Sequence, residues 1–364
     1  MIETIKKELW RELYELAEEY FSLKPWTFME EVDVFGIRCP DSGNDYFISV
    51  MGSQGESFSL AAYEGAFALD KFWDIQNSEG KLSPYYLLRI PHMLISLDEP
   101  EIINPEQFEM YQTISGEVKQ TVRSGSPGKS KKPEQRDKLP HFIRIVPGFY
   151  PVTPDADKLH DLKYILDQTI HVVKRAVDNN AFIHGIDDDE NDYFFRISRR
   201  VGDRLIWEDA NFTVEFPKIK TEVTYNTAVA DKFISLPKSR DVMELGMQFL
   251  PKPVKEGDKP AYFPTALLMV NARTGKVLFH ELIPPLPDFQ SMLGTLPEII
   301  MKKCIDYGMK PFRIKFRNPD LTMACNFLKV KAGIYVWHSF DLEHSDRAFE
   351  SLLEYLDGKD SFKY

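Results

Sequence analysis

The stretch ALLMVNARTGKVLFHELI, residues 266–283, decides the fold of the C-terminal third. Ala266 to Val270 is an unbroken apolar run of strand length, and 276–283 is a second strand-like segment. Ala272-Arg273-Thr274-Gly275 supplies turn chemistry between them. Downstream the pattern changes to alternation. A helical region covers 288–307, interrupted near Pro297 and closed by Gly308 as C-cap. A strand at 312–317 follows Pro311, a helix runs from Asp320 to Lys331 and stops at Gly333, a strand covers 334–338, and a helix covers 343–357. The order β-β-α-β-α-β-α requires parallel pairing in its tail, with right-handed crossovers. Residues 261–364 are therefore expected to form an α/β domain.

Upstream, residues 217–260 hold Pro217, Pro237, Pro251, Pro253 and Pro260, with one strand candidate at 242–250. Proline confines such a strand to a sheet edge, so 226–260 is expected to be a boundary region. Residues 1–225 read as an α+β domain, antiparallel strands with flanking helices. An amphipathic helix spans 3–22, with Leu9, Leu13, Leu16 and Tyr20 on one face. Strands are expected at 32–37, 46–50, 58–63 and 142–146, with turns of Gly, Ser, Asp and Asn between them. A long helix starts at Thr153-Pro154, with Thr153 as N-cap, and a hairpin joins 181–186 to 193–201. The segment near 119–138, containing SGSPGKSKKP, is expected to be a mobile loop.

Composition narrows the class. The chain has 364 residues, 43% hydrophobic and 28% charged, which suits two globular domains and excludes global disorder. A net charge of -11 favours solubility and disfavours indiscriminate binding to DNA or anionic membranes. The acidic N-terminus lacks the apolar run of a signal peptide, and no apolar run approaches the length that spans a bilayer. Cys39, Cys304 and Cys325 form an odd, sparse set without zinc-knuckle spacing. A cytoplasmic, non-membrane protein is the expectation.

The layout resembles an uncharacterised family of bacterial proteins built from two domains of unknown function. The resemblance rests on Pro25-Trp26 after the first helix, on Val50-Met51-Gly52 leading to Tyr63-Glu64-Gly65, on Pro147-Gly148, and on Tyr262-Phe263-Pro264 before Asn271-Ala272-Arg273-Thr274-Gly275. It implies a layout and no activity. The C-terminal element order also loosely resembles a ribonuclease-H-like fold. That resemblance implies paired metal ions held by acids on the first strand, after the fourth strand and on a late helix. Asn271 stands at the implied first position, and Asp320, Asp341 and Glu343 are the catalytic candidates. A neutral amide there weakens any divalent pair, because hard cations need anionic oxygens.

Other constellations read as structural. The acidic run 187–192 fails the calcium-loop pattern, with Asp192 where glycine is required and Ser198 where a bidentate glutamate is required. Gly52-Ser53-Gln54-Gly55 opens a strand and lacks the lysine of a phosphate loop. His338, Asp341 and His344 are metal-ligand types placed close together, and Lys129, Lys131 and Lys132 are the nucleic-acid candidates in the basic segment. No nucleophile, cofactor or zincin motif is present, and no cofactor is expected. The expected function is a non-enzymatic binding or interaction protein, with a protein partner or, less favoured, a nucleic acid. The rival is a degenerate metal-dependent nucleic-acid enzyme.

Overall fold

The computed structural model describes residues 2–55, 57–78, 80, 82, 84–123, 138–184, 191–217 and 222–360. Two compact units divide the chain. The first comprises residues 1–74, 90–145 and 151–217, and the second 75–89, 146–150 and 218–364. Two short excursions of the N-terminal part, 75–89 and 146–150, thus belong to the second unit.

In the first unit the apolar stripe of residues 9–20 folds as α1 (Ile2–Leu23). It is followed by β1 (Phe35–Arg38), β2 (Asp45–Met51), β3 (Ser59–Glu64), α2 (Gly65–Gln76), β4 (His92–Asp98), α3 (Pro105–Arg123), β5 (Leu139–Ile145), α4 (Ala156–Ala176), β6 (Asp192–Val201) and β7 (Arg204–Thr213). The strands make one sheet in the order β5-β4-β3-β2-β1-β6-β7, antiparallel except for β1 beside β6. Alternate residues such as Phe35, Ile37, Ile48, Leu60, Met93 and Phe142 turn one face toward α1, α3 and α4, where Leu13, Ile114, Leu162 and Leu166 complete the core. On the other face Gly36 sits under Phe195. A Cβ there would lie 2.4 Å from ring carbons, so the ring needs a glycine at this register.

Three local expectations are corrected in this unit. Residues 119–123 are the last turn of α3, not loop, because Gln107, Met110, Tyr111 and Ile114 keep helical spacing on a face that packs inward. The rest of the expected mobile segment, 124–137 with Lys129, Lys131 and Lys132, lies outside the described residues. The N-cap of α4 is Asp155, whose carboxylate accepts the Lys158 N–H at 3.1 Å, rather than Thr153. The hairpin is β6 with β7 around Gly202-Asp203, while 181–184 forms a 3-10 turn.

The second unit contains a 3-10 segment at Pro84–Arg89 and then α5 (Thr227–Ser235), β8 (Val242–Phe249), β9 (Thr265–Asn271), β10 (Val277–Ile283), α6 (Phe289–Tyr307), β11 (Arg313–Phe316), α7 (Thr322–Ala332), β12 (Tyr335–His338) and α8 (Glu343–Asp360). The sheet order is β10-β9-β8-β11-β12. β8 runs antiparallel to β9 and parallel to β11, and β11 is parallel to β12. β8 is therefore central, not an edge strand. The prolines at 237, 251 and 253 flank it and leave every ladder N–H in place. The stretch expected to be a boundary holds both α5 and this central strand. Pro297 lies inside a continuous α6, buried with Leu293, Leu296 and Ile300, so packing of the apolar face outweighs the lost hydrogen bond.

Helices α5, α6 and α7 cover one face of this sheet over Met243, Leu245, Leu267, Met269, Ile314 and Phe316, with Val336 packed against the same core. On the opposite face α8 packs on β8 and β9, where Phe349 meets Ala266, Leu268 and Val270. Gly246 permits that approach. A Cβ at this position would fall 2.2 Å from Ser345 Oγ and 2.5 Å from Phe349 Cε2.

Candidate functional site

Beside α8, the same face of β11 and β12 is open. Period-two alternation puts Ile314, Phe316 and Val336 in the core and sends Arg313, Lys315, Tyr335 and Trp337 the other way. Tyr335 is 57% exposed and Trp337 56% exposed, unusual for rings of this size in a strand. Parallel register places Arg313 beside Tyr335 and Lys315 beside Trp337. The guanidinium of Arg313 lies 5.3 Å from the Trp337 ring centroid. Lys238 Nζ sits 5.2 Å from the rings of both Phe312 and Tyr335, and donates to the Gly333 carbonyl at 2.7 Å. Among the described residues none of Lys238, Arg313 and Lys315 has a carboxylate within ion-pair distance. Phe340, 44% exposed, extends the aromatic surface beyond the strand end.

A small cleft lies where β8, the end of β11 and the start of α8 meet. Its cavity is about 60 Å³, lined among others by Arg89, Gly246, Arg317, Asn318, Ser345 and Asp346. Arg89 and Asp320 form a buried ion pair, Nη1 to Oδ2 at 2.9 Å, with side chains 5% and 7% exposed. Arg89 Nη2 also donates to the Met247 carbonyl at 3.2 Å. Arg317 forks onto Asp346 at 2.7 and 3.1 Å and onto the Phe340 carbonyl at 2.7 and 3.0 Å. Glu244, buried in β8, accepts the Ser345 N–H at 2.8 Å and so satisfies an open donor at the start of α8. Arg89 Nε and Ser345 Oγ have no hydrogen-bond partner among the described residues. The cleft thus holds two ion pairs, Arg89 with Asp320 and Arg317 with Asp346, which tie α8 and the 84–89 segment to the sheet.

The residues singled out from the sequence do not converge. Asp320 belongs to the pair with Arg89, and the turn before α7 is capped by Asn318, whose Oδ1 accepts the Asp320 N–H at 2.9 Å. Asp341 is exposed, its N–H donated to Ser339 Oγ at 3.2 Å. Glu343 is exposed and pairs with Arg347 at 2.6 Å. His338 is exposed, with edge-on ring contacts to Phe316 and Phe340. His344 packs against Gly275 on the far side of α8's first turn. No three His, Cys, Asp or Glu side chains among the described residues are placed to share a metal ion. Asn271 lies in β9, the second strand of this sheet, and its Oδ1 accepts the N–H groups of Arg273 and Thr274 at 3.0 and 3.1 Å. An amide is suited to that turn. The sequence reading passed over Arg89, Glu244, Arg313, Lys315, Tyr335 and Trp337.

The first unit has its own hydrogen-bonded polar clusters. Asp98 accepts from His141 Nδ1 at 2.8 Å and from Ser96 Oγ at 2.7 Å, and the His141 hydrogen bond holds the carboxyl below its ordinary range. Serine and histidine both point at the acid, so no base faces the hydroxyl and the group is no nucleophilic triad. Asp161 accepts from Tyr46 at 2.6 Å and Ser42 at 2.8 Å, while Lys158 donates to Tyr46 and to Glu64 at 2.8 and 2.7 Å. Burial and the Asp161 bond push the Tyr46 hydroxyl far above the usual phenol range. His92 is buried, its Nδ1–H donated to the Ile90 carbonyl at 2.8 Å, and burial brings the imidazole down to about 4. The three cysteines are buried and unbonded to one another, and burial raises the Cys304 thiol to about 12.

Residues 10–118 match the family model of a domain of unknown function, DUF7309, and residues 230–353 match that of another, DUF6930. Two domains of unknown function thus cover the N-terminal and C-terminal parts, consistent with an uncharacterised two-domain family. The second match runs from α5 into α8 and includes every strand of the second sheet. No curated protein and no solved structure matches the chain. No described helix is long and apolar enough to cross a membrane.

Proposed function

We propose that the chain is a non-enzymatic binding protein whose recognition surface is the open half of the second sheet, formed by β11 and β12. The observation that carries this reading is the pairing of two exposed rings, Tyr335 and Trp337, with three cations that lack a carboxylate partner among the described residues. Buried sheet faces are apolar and solvent faces are polar. A strand that exposes large rings among unpaired cations suits a partner that is negatively charged and offers flat or apolar surface. We place this activity in the cytoplasm, on the three buried cysteines, none of which is paired in a disulfide. Trp337→Ala tests the reading. It is expected to abolish or weaken partner binding while leaving the melting temperature within about 2 °C, since the side chain is more than half exposed.

One observation favours a second reading, a metal-dependent nucleic-acid enzyme. In chain order β8 is the first strand of this sheet and β11 the fourth, and Glu244, Asp320 and Asp346 stand on β8, after β11 and on α8. Those are the places to which the ribonuclease-H-like resemblance assigns acids. The pairing of each acid supports the first reading instead. A divalent ion would have to displace Arg89 from Asp320, Arg317 from Asp346 and a backbone amide from Glu244. Calorimetric titration with Mn²⁺ is expected to show no site tighter than roughly millimolar. A micromolar site lost on Asp320→Ala, with nicking of DNA or RNA, would replace the first reading by the second.

A further inference from the structure

We infer that the open half-sheet binds single-stranded nucleic acid, its bases stacking on Tyr335 and Trp337 and its phosphates lying beside Lys238, Arg313 and Lys315. The inference rests on the binding surface proposed above and names its occupant. Tyr335 and Trp337 are two residues apart on one strand and face the same way, so the rings repeat at roughly 7 Å along β12. Each has a cation in register on β11, about 4.8 Å away across the ladder. Ring and positive charge therefore recur together, twice, along one direction. A single strand of nucleic acid has the matching repeat, one base and one phosphate per nucleotide, and its unpaired bases can be splayed onto aromatic side chains or guanidinium planes. Arg313 already lies over Trp337, so a base can stack on the pair as a unit.

Other polyanions match less of the surface. A duplex hides its bases, leaving only the phosphates for Lys238, Arg313 and Lys315. An acidic peptide presents carboxylates without a flat ring at each repeat. Nearby carboxylates do not cancel the cations: Asp346 is held by Arg317, Glu244, in register with Lys315, is buried and bonded to the Ser345 N–H, and Glu343 is paired with Arg347, which among the described residues leaves Asp341 as the exposed acid next to β12. A surface of this size accommodates two to three nucleotides and reads stacking rather than sequence.

The test is fluorescence anisotropy on the full chain. The probes are labelled oligo-dT and oligo-U of about a dozen nucleotides at about 50 mM salt, with a duplex and a poly-glutamate peptide as competitors. Both single strands are expected to bind. Affinity should fall roughly tenfold in Trp337→Ala and in Tyr335→Ala, stay within about threefold in Trp337→Phe, and decline with salt at a log–log slope near -2, for three neutralised phosphates. The duplex should compete poorly. The inference is overturned if neither oligonucleotide binds, or if they bind equally well to Trp337→Ala of unchanged melting temperature. If poly-glutamate binds and loses affinity in Trp337→Ala while the oligonucleotides do not bind, the occupant is a protein and only the inference fails. If neither kind of ligand binds, the surface reading fails with it.

Discussion

One face of the second sheet is built in two ways. Over β8 and β9 it carries Gly246, Ala266, Leu268 and Val270, and α8 lies on it. Over β11 and β12 it carries Arg313, Lys315, Tyr335 and Trp337, and it is open. Small and aliphatic residues let a helix approach, whereas bulky rings and long cations hold one off. The border between the halves is the small cleft, beside which Arg89, Arg317 and Glu244 anchor α8 and the turn before it. The contrast separates two jobs. The covered half and its border are where substitutions should cost stability, and the open half is where they should cost binding.

The largest effect is expected at the border. Arg89→Met removes the cation and leaves the Asp320 carboxylate buried without its partner, which should destabilise the second unit by about 3–5 kcal/mol in urea unfolding. A loss below 1 kcal/mol would mean that the pair does not anchor the 84–89 segment. Replacing both partners, Arg89→Met with Asp320→Leu, should recover much of the loss.

Next in size is a pH effect that extends the burial contrast to the first unit. Burial lowers the His92 imidazole from 6.5 to about 4 in the folded protein. The unfolded chain binds the proton first, so this residue's contribution is complete above pH 6.5 and is lost as pH falls toward 4. The loss amounts to about 3 kcal/mol at most. His92→Gln should flatten the stability curve over that interval, and an unchanged curve would contradict the assignment.

Gly246→Ala probes the covered half. Its Cβ would overlap Ser345 Oγ and the Phe349 ring, so α8 must shift, at a cost of about 1–3 kcal/mol. Stability unchanged within error would show that α8 is not seated closely there. The smallest stability effect belongs to the open half, where Lys315→Ala and Tyr335→Ala should each stay within about 0.5 kcal/mol of wild type by the same urea measurement.

Much of this architecture was legible in the sequence, and the site was not. The β-β-α-β-α-β-α order of the C-terminal part could be read because its apolar runs are bounded by Gly275, Gly308 and Gly333, each left-handed in the structure. The central place of β8 could not. Its partner β11 is some seventy residues away, and pairing across that distance leaves no local mark beyond the flanking prolines. Helix α3 was hidden for a related reason, because its buried face is half polar, with Gln107 bonded to the Phe142 carbonyl at 2.7 Å. The open surface was the least legible. In Tyr335-Val336-Trp337-His338 alternation shows that one set of side chains faces out, and hydrophobicity alone would put the rings inside. Only the extent of α8 on the other strands decides that Val336 is the one that packs. Asn271, read from the sequence as a missing acid, turned out to hold its own turn.

Hydrogen–deuterium exchange with and without oligo-dT tests the division of this face most directly. Added protection is expected in peptides covering 312–317 and 334–340, with none in α8 from Ser345 onward and none in β9. Protection confined to α8 and the cleft of Arg317 and Asp346, or to the first unit alone, would show that the strand binds elsewhere.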